Sequence, residues 1–263
     1  MYYQLPPFIR LLHQEYSAEK EQQISIGAYR PKVVVFSGAG LSAESGISTF
    51  RGGSTVWNSA QNARFLDCEI IDEDLDGFLA FHNARRNEML AVEPNAAHIA
   101  LAQLQTTHDV QVITQNIDDL HERAGSQSIL HLHGSIQHVR PVGLYGEQFR
   151  QPWEGDIAVG QTDPKTNRQL RPDIVLFGEQ IYGLEQATEI LAQCDVVIVA
   201  GTSLVVEPAA SLLRGTHPDA AIYYVNIERL PESRLPMPGT QKIGPATEQI
   251  PALVSQLQSM TLE

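Results

Sequence analysis

Cysteine is almost missing from this sequence: Cys68 and Cys194 are the only two in 263 residues. Two distant cysteines build no disulfide framework, which points to a reducing interior. Long hydrophobic runs are missing too, and nothing approaches the ~18 apolar residues that a membrane-spanning helix requires. The stretch around Pro6, Pro7 and Arg10 lacks the basic-then-apolar order of a secretion signal. The expected compartment is therefore cytoplasmic, with no membrane partner. Basic side chains are scarce: 18 Lys and Arg stand against 31 Asp and Glu, a formal charge of −13. Bulk affinity for nucleic acid or an anionic membrane needs basic surface, so both are excluded as partners. A lysine-rich segment remains compatible with this charge. With 43% apolar and 19% charged residues, the chain is globular and its length suits one large domain with a smaller insert.

What is present begins with Val33-Val34-Val35-Phe36, an apolar run that empties into Ser37-Gly38-Ala39-Gly40-Leu41-Ser42-Ala43. A buried strand followed by a glycine turn delivers bare backbone N–H groups to a phosphate. Gly38, Gly40 and Ala43 keep the spacing of dinucleotide sites: the first permits a tight turn, the second a close pyrophosphate, the third close helix–strand packing. Further buried strands are expected at Val110–Thr114, Ile129–His131, Ile174–Phe177, Val196–Ala200 and Ile222–Ile227. Helical patterns separate them, as at Pro94–Gln105 and Gly183–Gln193. Strands alternating with helices predict an α/β fold, a mostly parallel sheet with helices on both faces. Polar clusters at Gly38–Ser45, Gln115–Asp119, His133–Ser135 and Gly201–Ser203 each follow a strand, where ligands of such sheets gather. Residues 54–92, acidic and helix-forming, and 135–170, irregular and rich in Gly and Pro, read as insertions. A short amphipathic helix is expected at Phe8–Tyr16, with Phe8, Ile9, Leu12 and Tyr16 packed on the sheet.

Six blocks then match a known family in order and spacing: Gly38 through Phe50-Arg51-Gly52, Thr114-Gln115-Asn116-Ile117-Asp118, His133-Gly134, Arg171 through Glu179, Gly201-Thr202-Ser203-Leu204 and Asn226-Ile227-Glu228. The chain resembles the sirtuins, NAD-dependent protein lysine deacylases, over residues ~33 to ~255. The resemblance implies a Rossmann-like NAD-binding domain of residues 1–53, 93–134 and 171–263, with a small inserted domain of 54–92 and 135–170. It implies NAD as consumed co-substrate and acyl-lysine proteins as substrates. In this family an acyl-lysine amide oxygen attacks the ribose carbon that bears nicotinamide, a step governed by positioning.

By resemblance, His133 is the base that takes a ribose proton, and Asn116 and Asp118 join it as catalytic residues. Gly38, Ala39, Gly40, Ser42, Gln115, Asn116, Asp118, Gly201, Thr202 and Ser203 hold the cofactor. Phe50 shields the reactive ribose, Arg51 offsets pyrophosphate charge, and Asn226 and Glu228 take adenosine hydroxyls. His131 is read as structural. Phe177, Gly178 and Glu179 form the substrate strand, whose backbone pairs with the acyl-lysine peptide.

Two features depart from the family. Sirtuins usually carry two Cys-x-x-Cys pairs after the catalytic histidine, yet residues 135–170 hold no cysteine. A cysteine zinc cage is impossible without thiolates, so no metal is expected. Apolar packing by Val139, Leu144, Tyr145, Phe149, Trp153 and Ile157 is expected to hold this lobe instead. The other departure is Thr49, where Asp usually precedes Phe-Arg, with Ser48 in place of a common proline; altered cofactor affinity is the expected result.

Phe81-His82-Asn83-Ala84-Arg85-Arg86 resembles sirtuins that remove acidic acyl groups, which clamp a distal carboxylate with a tyrosine and an arginine three residues later. Arg85 keeps that arginine, and His82 stands for the tyrosine as a shorter hydrogen-bond donor. The expected activity is deacylation that includes succinyl or malonyl groups. Alternatives for the same pocket are an NAD glycohydrolase or an ADP-ribosyltransferase; a non-catalytic binding module is a further reading. A hydride-transferring dehydrogenase lacks its ribose acid, since positions 58 and 59 are Asn58 and Ser59.

Overall fold

The computed structural model describes residues 6–49 and 60–260. Phe50 and Arg51 lie outside the described residues. Six strands form one sheet: β1 (Lys32–Ser37), β2 (Asp109–Thr114), β3 (Ile129–His131), β7 (Val196–Ala200), β8 (Ala221–Asn226) and β9 (Thr240–Ile243). Their order is β3-β2-β1-β7-β8-β9 and every pairing is parallel. Parallel strands covered on both faces bury successive side chains in opposite directions. Thus Val33 and Val35 enter a core with Ala97, Leu101, Ile198, Ile250 and Leu253, while Val34 and Phe36 enter another with Ile113, Leu191, Val197 and Leu213. The first core is roofed by helices Ala96–Leu104 and Ala246–Met260, the second by Leu184–Ala192 and Ala209–Leu212. The order reverses between β1 and β7, and their carboxyl ends open the crevice where such sheets bind ligands.

Three expectations need correction. The run Ile174–Phe177 does not join the parallel sheet. Its first residue ends β6 (Leu170–Ile174), which pairs antiparallel with β4 (Gly134–Pro141); β5 (Gln151–Pro152) completes this small sheet. Ile174 and Leu176 fill a third core with Phe78, Leu79, Met89, Ile136, Val139 and Ile157, so an apolar run there satisfies burial just as a sheet strand would. The stretch after His133, expected to be irregular, holds this small sheet. The N-terminal helix runs Pro7–Ser25 and buries Ile9, His13 and Tyr16, whereas Phe8 is exposed. Its working face follows the i, i+4, i+7 spacing from Ile9.

Apolar packing alone does not hold the cysteine-free lobe. Val139 and Ile157 are buried and Trp153 packs beside them, but Tyr145 is 43% exposed. A buried charge cluster supplies the rest. Arg140 lies 3.3 Å from Asp173 and 3.0 Å from Glu179, and Arg171 lies 2.6 Å from Glu179. Arg150 reaches Asp173 at 3.0 Å, and the Tyr182 hydroxyl donates to Asp173 at 2.7 Å. Two arginines and two carboxylates this deeply buried are tolerable only because they answer one another.

Candidate active site

The glycine turn locks two strand ends together. Gly38 N–H donates to the Ala200 carbonyl at 3.0 Å, and Gly40 N–H to the Gly201 carbonyl at 2.8 Å. A Cβ on Gly40 would lie 2.8 Å from the Gly201 Cα, and Gly201 has φ of +64°. Gly40 is therefore required first by the Gly201 backbone, a partner that spacing alone does not reveal, and the Gly38 and Gly40 N–H groups, expected to be bare for a phosphate, are instead spent on strand-end carbonyls. The helix after the turn, Ala39–Ala43, presents Ser42, which is buried. Asn95, unremarked in the sequence, caps Ala96–Leu104 through Oδ1 and donates from Nδ2 to the Leu41 carbonyl at 2.9 Å. An Asn directly before an apolar periodic run was its signal.

Residues 115–118, after β2, carry the polar groups. Asn116 is 5% exposed, and its Nδ2 donates to the Gly38 carbonyl at 3.2 Å and to Ser42 Oγ at 3.0 Å. Both amide hydrogens are thus committed, so Asn116 presents only its carbonyl oxygen to a ligand. Ser42 in turn donates to Asp118, whose Oδ1 also accepts the Leu120 N–H at 3.2 Å. Burial raises the Asp118 pKa, with the Ser42 bond opposing that shift. Gln115 Oε1 accepts the Thr202 hydroxyl at 3.0 Å, which ties the β2 and β7 loops together.

His133 follows β3 and precedes β4. Its Nδ1 lies 2.9 Å from the Gln115 carbonyl. A carbonyl only accepts, so Nδ1 carries the proton and Nε2 keeps its lone pair. Burial lowers the His133 pKa, which keeps the ring neutral at pH 7. The next residue, Gly134, has φ of +78°, and a Cβ there would lie 2.0 Å from the Asp173 carbonyl. His131 clamps the neighbouring peptide: Nδ1 meets the Asn116 carbonyl at 2.9 Å and Nε2 meets Glu122 at 2.7 Å. Against the cost of burial, the Glu122 carboxylate raises its pKa.

The remaining expected residues divide. Ser203 is half-buried beside Thr202, and Asn226 Nδ2 is buried without a partner at the β8 end, while Glu228 is exposed. Phe177 gives its N–H to the Leu66 carbonyl at 2.8 Å and its C=O to the Cys68 N–H at 3.1 Å. Those two groups are consumed, so peptide pairing cannot use them. Glu179 does not offer its carboxylate to a substrate either; Arg140 and Arg171 hold it and lower its pKa despite burial. It accepts the Leu176 N–H at 2.9 Å, fixing the stretch that carries Phe177 and Gly178.

His82 is buried between Phe78 and Phe81, with Nε2 3.0 Å from the Phe65 carbonyl. Its donor is thus used internally, contrary to the role expected of it, and burial pushes its pKa down to about 3. Arg85, one turn on, pairs with Glu88 at 2.5 Å, while its Nε and Nη1 are buried and unpartnered.

Zinc does not fit the lobe. His138 Nδ1 faces Arg150 at 3.2 Å, and Asp163 is engaged by Thr166 at 2.8 and 2.7 Å. Among the described residues no three His, Cys, Asp or Glu side chains are grouped to hold a metal. A dinucleotide fits better: the glycine cradle, the oriented Asn116 oxygen and the orphaned Asn226 amide lie along the sheet's carboxyl edge.

The profile of the Sir2 family matches residues 38–208. An NAD-dependent protein deacylase of Helicobacter pylori is 45% identical over 194 residues, 74% of this chain and 83% of that protein. A mutant Sir2 homologue complexed with ADP-ribose superposes with a TM-score of 0.79 at 34% identity, covering 92% of this chain and 98% of its own. A Sir2–peptide–NAD complex superposes at 0.67 with 27% identity, covering 91% and 97%.

Proposed function

The chain belongs to the Sir2 family, and from that premise we propose that it is an NAD-dependent protein lysine deacylase. The acyl group of the substrate lysine would pass to ADP-ribose, freeing the lysine amine, with release of nicotinamide. When bound, NAD supplies the electrophilic ribose carbon and the nicotinamide leaving group. Gly38, Gly40 and Gly201 would let its phosphates approach the backbone closely without donating to them, since their N–H groups are held by the Ala200, Gly201 and Val225 carbonyls, and Asn226 would take its far ribose. The Asn116 carbonyl oxygen and the Asp118 carboxylate both accept, which suits the N–H groups of a carboxamide and the hydroxyls of a ribose. His133 would take a hydroxyl proton at Nε2, because Nδ1 is already fixed on the Gln115 carbonyl. That tautomer carries the reading, since a base of this kind typically contributes ~10²–10⁴-fold.

Acidic acyl groups are supported by Arg85 alone, whose buried unpartnered Nε and Nη1 can each give a single hydrogen bond to a carboxylate; the fork geometry would need Nη2, which Glu88 holds. The misfit of the lobe to zinc supports a metal-free enzyme, and the free cysteines support a cytoplasmic setting. Incubation with NAD and a panel of acyl-lysine peptides, read by mass, tests this. His133→Tyr should abolish turnover of every peptide. Arg85→Met should lower succinyl-peptide turnover at least ~10-fold and leave acetyl-peptide turnover within about twofold. Equal losses on both acyl groups would remove Arg85 from the specificity account.

A further inference from the structure

Behind the Gln115–Asp118 loop runs a buried polar chain that the mechanism above does not use. His121, on the short helix Leu120–Arg123, places Nε2 2.9 Å from Ser37 Oγ at the end of β1. Ser37 Oγ donates to Thr114 Oγ1 at 2.8 Å, and Thr114 Oγ1 accepts the Asn116 backbone N–H at 3.0 Å. Ser37, Thr114 and His121 are all buried to within 1% of complete. Since the Ser37 proton points at Thr114, the Ser37 oxygen must accept from His121, which fixes the ring as the Nε2–H tautomer.

We propose that His121 is a positioning residue for the NAD-dependent reaction, setting the direction of this chain and hence the geometry of the Gln115-Asn116 peptide. The peptide matters because its neighbours converge there. The Gln115 N–H donates to the Ser37 carbonyl at 2.9 Å, the Gln115 carbonyl holds His133, and the Asn116 carbonyl holds His131. One backbone turn thus sets both the Asn116 side-chain oxygen and the His133 tautomer. With Ser37 oriented by His121, its hydroxyl holds Thr114 Oγ1 in the place where that oxygen also accepts the Asn116 N–H. Without that donor, the Ser37 proton is free to rotate away and the turn loses its anchor. Misplacement by about 1 Å at such a point can lower a rate ~100-fold. Facing His121 are His98, edge-on with ring centroids 5.0 Å apart, the Ser37 hydroxyl, and His131 as a charge in its field. His98 packs on the ring and makes no bond to the chain.

The inference rests on the proposed activity, so one arm of its test is independent of turnover. In ¹⁵N spectra of histidine-labelled protein at neutral pH, His121 should be a neutral ring that carries its proton on Nε2. An Nδ1–H tautomer would overturn the proposal whatever the enzyme's reaction. In kinetics, His121→Leu should lower kcat/KM for NAD by at least ~10-fold, with the KM for acyl-peptide unchanged within about twofold. His121→Gln, which restores a donor near the Nε2 position, should recover most of that loss. His98→Leu should lower the melting temperature without the kinetic change. Should His121→Leu fail to fold, Ser37→Ala breaks the same link and should show the same split. If His98→Leu loses activity as His121→Leu does, or if the Gln variant is no better than Leu, the role is packing and the proposal fails.

Discussion

His133 keeps its Nδ1 proton on the Gln115 carbonyl at 2.9 Å, and burial lowers its pKa below the ordinary 6.5. The neutral ring is the working form, so the sign of the pH dependence follows. kcat/KM should be level at neutral pH and above on this group's account and fall on the acid side with a midpoint below the ordinary histidine value. A profile of kcat/KM from pH 5 to 9 checks this; an acid limb centred above 7 would contradict it. At this scale the sequence made His133, Asn116 and Asp118 visible because family blocks mark them. It did not reveal which atom each presents. The Asn116 oxygen is singled out by Gly38 and Ser42, and the His82 donor is removed by Phe65, through hydrogen bonds between residues far apart in the chain. His121 was hidden for the same reason, since its partner Ser37 is 84 positions away.

Among the elements, the stretch 175–179 shows how a loop becomes rigid. Glu179 joins β4 through Arg140 and β6 through Arg171, and it also caps the Leu176 N–H. Replacing one partner of a buried ion cluster costs about 3–5 kcal/mol, far above the 0–1 kcal/mol of an exposed pair. Glu179→Gln should therefore lower thermal stability clearly and raise the KM for acyl-peptide ~10-fold while the KM for NAD stays near wild type. An unchanged peptide KM would separate this cluster from substrate binding. Element positions in the parallel sheet were legible: β1, β2, β3, β7 and β8 match their apolar runs to within one residue at each end. β9 was not, because Thr240-Gln241-Lys242-Ile243 is a short polar edge strand, the kind that avoids further pairing. The run Ile174–Phe177 misled for a different reason, since burial in the small lobe and in the main sheet leave the same apolar pattern.

Across the whole molecule, a six-stranded parallel sheet and a small three-stranded antiparallel sheet make up the framework, and among the described residues no three His, Cys, Asp or Glu side chains are grouped to hold a metal. The lobe's charge cluster explains how it dispenses with thiolates. Purified protein should contain less than about 0.1 equivalent of zinc, and its melting temperature should be indifferent to EDTA. Stoichiometric zinc with a chelator-induced drop would contradict that. The α/β class was readable from alternating patterns, whereas the cluster holding the lobe was not, because Arg140, Arg171 and Glu179 look like solvated charges until the fold buries them. The central claim is that this crevice couples cleavage of NAD to removal of an acyl group from lysine. Its most direct test is the product balance of a single incubation with NAD and an acyl-lysine peptide. Nicotinamide, free lysine peptide and O-acyl-ADP-ribose should form in a 1:1:1 ratio (the balance that acyl transfer to ADP-ribose requires), with no nicotinamide released when peptide is omitted. Peptide-independent release of nicotinamide with free ADP-ribose would contradict the account.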